Sequence, residues 1–293
     1  MSASLSHSAR EARRRDRDRF ICALFAPAER RQAVYSILAF NAELARIRGA
    51  VSEPILGEMR LQWWRDAIAA LFDDPDNVPS GNPVLSEFAS AVRKYRLPRP
   101  VIDAMIDARA ADLIDAPHAD LEALLAYAGA TSGGVTELTL HALGAYDDPD
   151  VETGELMGAV RRAGAQLGAA WALIGLIRAH HALAAEGRTF IPRRQLATAG
   201  LSLEQVVAGE FSDELRDQLQ LLAGIASQYV LECRSMRGRL PKGCIAAFLP
   251  ANLAWRYLQR LRRARYNPAG GVLERSRATA QLSIILRALT GRF

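Results

Sequence analysis

The chain has 293 residues, half of them hydrophobic, with a formal net charge of +5 and a pI near 9.4. That is enough apolar material for a sizeable core in one large or two small domains, and the excess of arginine permits attraction to phosphates or anionic lipid without demanding either. The longest apolar run, around Leu167–Ile177, is about eleven residues where a membrane span needs about twenty, so the reading is a soluble or peripheral protein.

Nearly every segment carries helical periodicity, and alternating β-branched runs are missing. The N-terminus, MSASLSHSAREARRRDRDRF, lacks the apolar region of a secretory signal and leads into a basic amphipathic helix over about Ser8–Leu24. Pro27 starts a second helix, which ends near Arg46 and Arg48, where cations suit a helix C-terminus. Ser52 is the expected N-cap of a third helix, from Pro54 to about Phe72, with Leu56, Met59, Trp63 and Ile68 as its apolar face and Arg60, Trp64 and Asp66 on or beside another. Adjacent tryptophans wrapped in Arg60, Arg65 and Asp66 are an expensive composition for a plain surface helix. An acidic turn-forming loop, DDPDNVPSGNP, separates it from helices over about Val84–Tyr95 and Val101–Ile114.

A long helix follows over about Asp120–Leu143. Its Ser132-Gly133-Gly134 predicts a kink or a close approach, since glycine inside a helix costs roughly 1 kcal/mol relative to alanine. Another covers about Val151–Ala185 and ends in a non-helical linker, GRTFIPRRQL. Helices are then expected at about Leu203–Ala208, Ser212–Met236, Ala246–Arg265 and Gly271–Leu289. The expected architecture is all-α: a basic segment 1–19, a helical domain 20–267, and a C-terminal amphipathic helix 268–293. The apolar stripe of that last helix, Leu282, Ile285, Leu286 and Leu289, suits docking on its own core, or on a partner or an anionic membrane surface.

Candidate chemistry is sparse. Asp103 and Asp107, one turn apart, have the spacing that can hold Mg²⁺ against a diphosphate, but no second acidic motif faces them, and a solvated acidic face balanced by Arg109 competes with that reading. His180 and His181 are adjacent and cannot share a helix face. Cys22, Cys233 and Cys244 show no C-x-x-C spacing and read as buried reduced thiols of a cytosolic protein. Arg60 and Arg65 beside the tryptophans, with Arg178 and Arg188 around the linker, form either an anionic pocket or ordinary surface pairs.

Four blocks carry a resemblance: APAERRQAVYSILAFNAELARIR (Ala26–Arg48), YAGATSGG (Tyr127–Gly134), LGAAWALIGLIRAHHALAAEGRTFIPRRQL (Leu167–Leu196) and FLPANLAWRYLQRL (Phe248–Leu261). Together they resemble the squalene/phytoene synthase family, which implies the isoprenoid synthase fold, a helical bundle with a central cavity. Active members of that family hold Mg²⁺ and a prenyl diphosphate with two acidic motifs. The matching positions here are Ala45 and Gly49, then Gly175, Arg178, Ala179 and Leu183, so only the arginine survives. AFNAELARIR, VSEP, GEMRLQWWRDAI, IDARAADL, TSGG and LIRA also resemble the branch that includes a mitochondrial assembly factor for respiratory complex I.

The resemblance therefore implies a non-catalytic protein without metal or cofactor, aiding assembly of complex I through its subunits or intermediates, or binding an isoprenoid or lipid. The alternative it implies is a Mg²⁺-dependent prenyltransferase condensing farnesyl or geranylgeranyl diphosphate. The candidate pocket comprises Asn41, Glu43, Arg48, Arg60, Trp64, Asp66, Tyr127, Arg178 and Arg188. No nucleic-acid partner is expected. The expected location is the cytoplasm, with peripheral contact at the inner membrane through anionic lipid.

Overall fold

The computed structural model describes residues 5–74, 81–147, 154–241 and 243–269, together with Ile284, Leu286 and Ala288. Among these residues no strand forms, and the chain is all-α. The N-terminal basic stretch is two helices, α1 (His7–Arg15) and α2 (Arg17–Ala23), where periodicity predicted one. Asp16 makes the break: its backbone leaves the helical region and its carboxylate accepts the Arg19 amide at 3.2 Å, capping α2. Ala9 and Ala12 of α1 are buried, and the amides of His7 and Ser8 both donate to the Glu87 carboxylate at 3.0 Å.

Helix α3 (Ala28–Ala45) is buried on every side from Ala33 to Phe40, as a helix apolar all round must be. It is followed by a 3₁₀ turn (Arg48–Ala50) and α4 (Pro54–Asp73), whose N-cap is Glu53 rather than Ser52. Helix α5 (Pro83–Tyr95) is capped by Asn82, whose side chain accepts the amides of Val84 and Leu85 at 2.9 and 3.0 Å. Helix α6 (Arg99–Ala108) tightens into a 3₁₀ turn over Arg109–Leu113.

The predicted long helix is α7 (Leu121–Ala128) and α8 (Gly134–Leu143), joined by one turn of π-helix, Gly129–Gly133. Its counterpart, α9 (Gly154–Arg178), runs with a one-residue break at Ala179 into α10 (His180–Ala185). Short helices α11 (Arg193–Thr198) and α12 (Leu203–Val207) lead to α13 (Asp213–Ser235), α14 (Ile245–Phe248) and α15 (Pro250–Arg263). Most of the expected C-terminal helix lies outside the described residues; Ile284 is fully buried in the core and Leu286 is exposed. All three cysteines are free and buried, and burial pushes the thiols of Cys233 and Cys244 up to about 12.

The helices close a ring. α2 packs on α3, α3 on α8, α8 on α9, α9 on α15, and α15 returns to α2. α3 and α9 end, and α7 arrives, at the same mouth of the ring. The tightest joint is between the π turn and α9. A Cβ added at Gly168 would lie on the Gly133 Cα, 2.5 Å from the Ser132 carbonyl oxygen and 2.6 Å from the Gly133 nitrogen. Backbone, not flexible side chain, fills that space, so α9 can approach only because residue 168 is glycine.

Gly168→Val therefore costs several kcal/mol, of the order of severe overpacking (about 3 or more), or prevents folding. Gly175→Ala in the same helix meets nothing within 4 Å and gains up to about 1 kcal/mol from helix propensity. Urea titration of the two variants against the parent protein checks both signs.

Candidate cavity at the mouth of the helical ring

The interior of the ring is nearly filled. The free space between Val34, Leu38, Val135, Leu167 and Trp171 amounts to about 20 Å³, room for one water and not for a prenyl chain. The open space lies at the mouth, a cavity of about 480 Å³. Ala45 and the 3₁₀ turn after α3 form one wall, Arg109–Asp112 a second, Tyr127 of α7 a third, and Leu176, Leu183 and the strap Glu186–Phe190 a fourth. The strap is fastened by its following residues: the Arg193 and Arg194 amides donate to the carbonyls of His118 and Ala119 at 2.9 and 3.1 Å.

Arg109 is the hub of the polar wall. Its guanidinium donates to Asp112 at 3.1 Å, to the Tyr127 hydroxyl oxygen at 2.8 Å and to the Asn41 side-chain oxygen at 3.2 Å. The Tyr127 hydroxyl in turn donates to Asp112 at 2.8 Å. Burial, foremost, drives the Tyr127 phenol far above its ordinary range, so it stays protonated and keeps that donor. Arg188 donates to the Asp112 carbonyl at 3.1 Å and pairs with Glu186 at 3.6 Å. Arg48 pairs with Asp115 at 2.9 Å. His118 lies beside Tyr127, ring centroids 5.0 Å apart, and burial pushes its imidazole downward. Three guanidiniums thus meet three carboxylates around one opening, and the wall is charge-balanced by side chains alone.

The candidate residues read from the sequence divide among three places. Arg48, Tyr127 and Arg188 line this cavity, and Asn41 stands behind its wall as the acceptor for Arg109. Glu43, Arg60 and Trp64 line a separate groove beside α4, and Asp66 accepts a hydrogen bond from Gln62 at 2.7 Å. Arg178 turns to α2 and α15: it pairs with Asp18 at 3.8 Å and sits 4.6 Å over the Tyr257 ring, whose hydroxyl donates to Asp18 at 2.7 Å. Arg109 had been read as balancing Asp103 and Asp107. It instead ties α3 to α7, while Asp107 pairs with Arg65 at 2.7 Å and Asp103 with Arg99 at 3.4 Å, neither lining the cavity.

The predicted apolar face of α4 also needs correction. Trp64 is buried, with Leu61, Ile68 and Leu71, whereas Leu56, Met59 and Trp63 are exposed. The face that wins begins at Gly57, which lets the Leu113 side chain seat against the helix, and follows i+4 and i+7 from there. Trp64 stands edge-on to Phe40, which stacks on Phe88 at 4.3 Å.

Of the positions that the resemblance matches to metal-binding motifs, three border the cavity. Ala45, Gly49 and Leu183 all line it, and a Cβ at Gly49 or Gly175 would meet nothing within 4 Å. The room for side chains is present and the oxygen donors are not. Hard Mg²⁺ takes oxygen ligands. Asp112 and Glu186, the acids in the wall, are each engaged by an arginine, so the residues here do not fit the magnesium cluster of the family.

This is an all-α helical ring open at one mouth, and the family model for squalene/phytoene synthase matches residues 12–283; the chain belongs to that family. Relatives named complex I assembly factor 6 align at 27% identity: that of Rattus norvegicus over 281 residues, covering 96% of this chain and 80% of its own, and that of Drosophila melanogaster over 256 residues, covering 86% and 73%. Among solved structures, a dehydrosqualene synthase superposes with a TM-score of 0.78 at 15% identity, covering 97% of this chain and 94% of its own. A squalene synthase from Alicyclobacillus acidocaldarius gives 0.72 at 20%, covering 89% and 94%. The fold is the isoprenoid synthase fold that the resemblance implied.

His180, buried behind the strap against Phe190, gives this region a pH dependence. Burial first, and the neighbouring His181 second, push its imidazole down to about 4. The unfolded chain binds that proton near the ordinary 6.5 and the folded chain does not. Stability is therefore full above about 6.5 and falls as pH drops toward about 4. His180→Gln flattens that decline, measurable as a smaller loss of urea midpoint between about pH 7 and 5 than in the parent.

Proposed function

We propose that this protein is a non-catalytic squalene/phytoene synthase-family member that serves assembly of respiratory complex I and works without a resident metal. The observation that carries the reading is the convergence of Ala45, Gly49 and Leu183 on one cavity. Ionising a prenyl diphosphate requires its charge to be neutralised, a contribution from metal ions worth several kcal/mol. Alanine, glycine and leucine contribute none of it, and the arginines nearby already face carboxylates. The nearly filled ring interior also favours this reading over storage of an isoprenoid chain. The names of the relatives supply the process in which a scaffold of this kind would act.

Where the host makes complex I, deleting the gene lowers the assembled complex several-fold on native gels, and the wild-type gene restores it. Unchanged assembly in the deletion strain would sink the reading. Purified protein mixed with farnesyl diphosphate and Mg²⁺ releases no diphosphate above the rate without protein. Turnover there would favour a prenyltransferase instead. No helix among the described residues is long and apolar enough to cross a membrane, so action at the inner membrane would be peripheral in the described part of the chain.

A further inference from the structure

The strongest unpartnered feature lies on the other side of the 3₁₀ turn from the cavity. The first three turns of α4 present Ile55, Met59 and Trp63 at 65%, 63% and 41% exposure. Side chains of this kind gathered on one helix face are uncommon on a free surface and mark an interaction site. The face borders two depressions, of about 480 and 290 Å³, which share Ala50, Arg60 and Trp63 and so form one continuous groove. Trp63 is braced edge-on by buried Trp64, ring centroids 4.9 Å apart, which fixes the aromatic wall before anything binds. Arg60 is exposed in the groove and meets no carboxylate among the described residues, unlike Arg46, which pairs with Glu43 at 3.0 Å.

We propose that this groove binds an amphipathic helix of a partner protein, with its apolar side on Leu56, Met59 and Trp63 and an Asp or Glu on Arg60. The inference rests on the assembly reading for one thing, that there is a protein client to bind. A helix is favoured because the described residues offer no strand edge to pair an extended peptide, so the bound segment must satisfy its own backbone. A helix face about three turns long also matches the length of α4 that is bare. An anionic bilayer fits less well. The site is concave, and Glu53 and Glu58 on α4 would be repelled by lipid phosphates. Arg60 supplies the charge complementarity that selects an acidic partner.

The test places a photoreactive benzoylphenylalanine at Met59 in the full chain, expressed in its host, with the same residue at exposed Leu231 of α13 as control. The expected result is a Met59 adduct mapping to an amphipathic segment with an acidic residue, absent from the Leu231 control. Arg60→Glu reduces it roughly tenfold, and changing that acid to Lys restores it, as one ion pair of this kind predicts. No adduct, an adduct indifferent to Arg60→Glu, or one that maps to a second copy of this chain overturns the proposal. So does flotation on phosphatidylglycerol vesicles that Met59→Lys abolishes, which would assign the face to the membrane. Thermal unfolding of each variant within about 2 °C of the parent shows that the exposed substitutions leave the fold intact. A charge-swapped adduct with a protein outside complex I keeps the groove and removes the assembly reading. Normal complex I in an Arg60→Glu strain, beside failure in the deletion strain, keeps the assembly reading and removes the groove.

Discussion

Two backbones touching at Gly133 and Gly168 set the geometry on which the rest depends. With a side chain at Gly168, α9 would stand off from the π turn, and the ring α2–α3–α8–α9–α15 would not close at its present diameter. The π turn is the other half of that joint. It widens one helical turn between Tyr127 and Gly134, and π turns recur where a helix must reorient side chains for function. Tyr127 on its N-terminal side faces the mouth cavity, while Ser132 within it receives a hydrogen bond from Arg19 of α2 at 3.2 Å. A single local irregularity thus serves the cavity wall and the closure of the ring.

The mouth of that ring is held by ion pairs that reach across several elements. Around the cavity, Arg48, Arg109 and Arg188 stand against Asp115, Asp112 and Glu186. Such pairs satisfy their own charges, and the best-buried of them, at Arg109, is stitched to Asn41 and Tyr127 on two other helices. Its value is in fixing where α3, the 109–113 turn and α7 stand relative to one another. A partly buried ion pair contributes little net stability beyond such positioning.

Much of this was legible in the sequence. The order of helices followed from periodicity, and Ser132-Gly133-Gly134 correctly announced both an irregular turn and a close approach, because glycine is costly anywhere else in a helix. Three things were not. The break at Asp16 depends on one side chain capping the helix that follows it, which an unbroken basic pattern conceals. The orientation of α4 was read one residue out of phase, because Leu56, Met59 and Trp63 form as regular an apolar stripe as Gly57, Leu61, Trp64 and Ile68. Periodicity counts stripes and does not say which one the core takes. The role of Arg109 joins residues 68 and 18 positions apart, and no local pattern carries that information.

The empty shells around Gly49 and Gly175 carry a consequence of their own. Folding places no steric demand at either position, since a Cβ there touches nothing. Substitution at these two sites is invisible to the core, and acidic side chains could be installed there without rebuilding a single packed layer. At these two places the architecture leaves the mechanical demands of the ring and the chemistry of its rim free of each other.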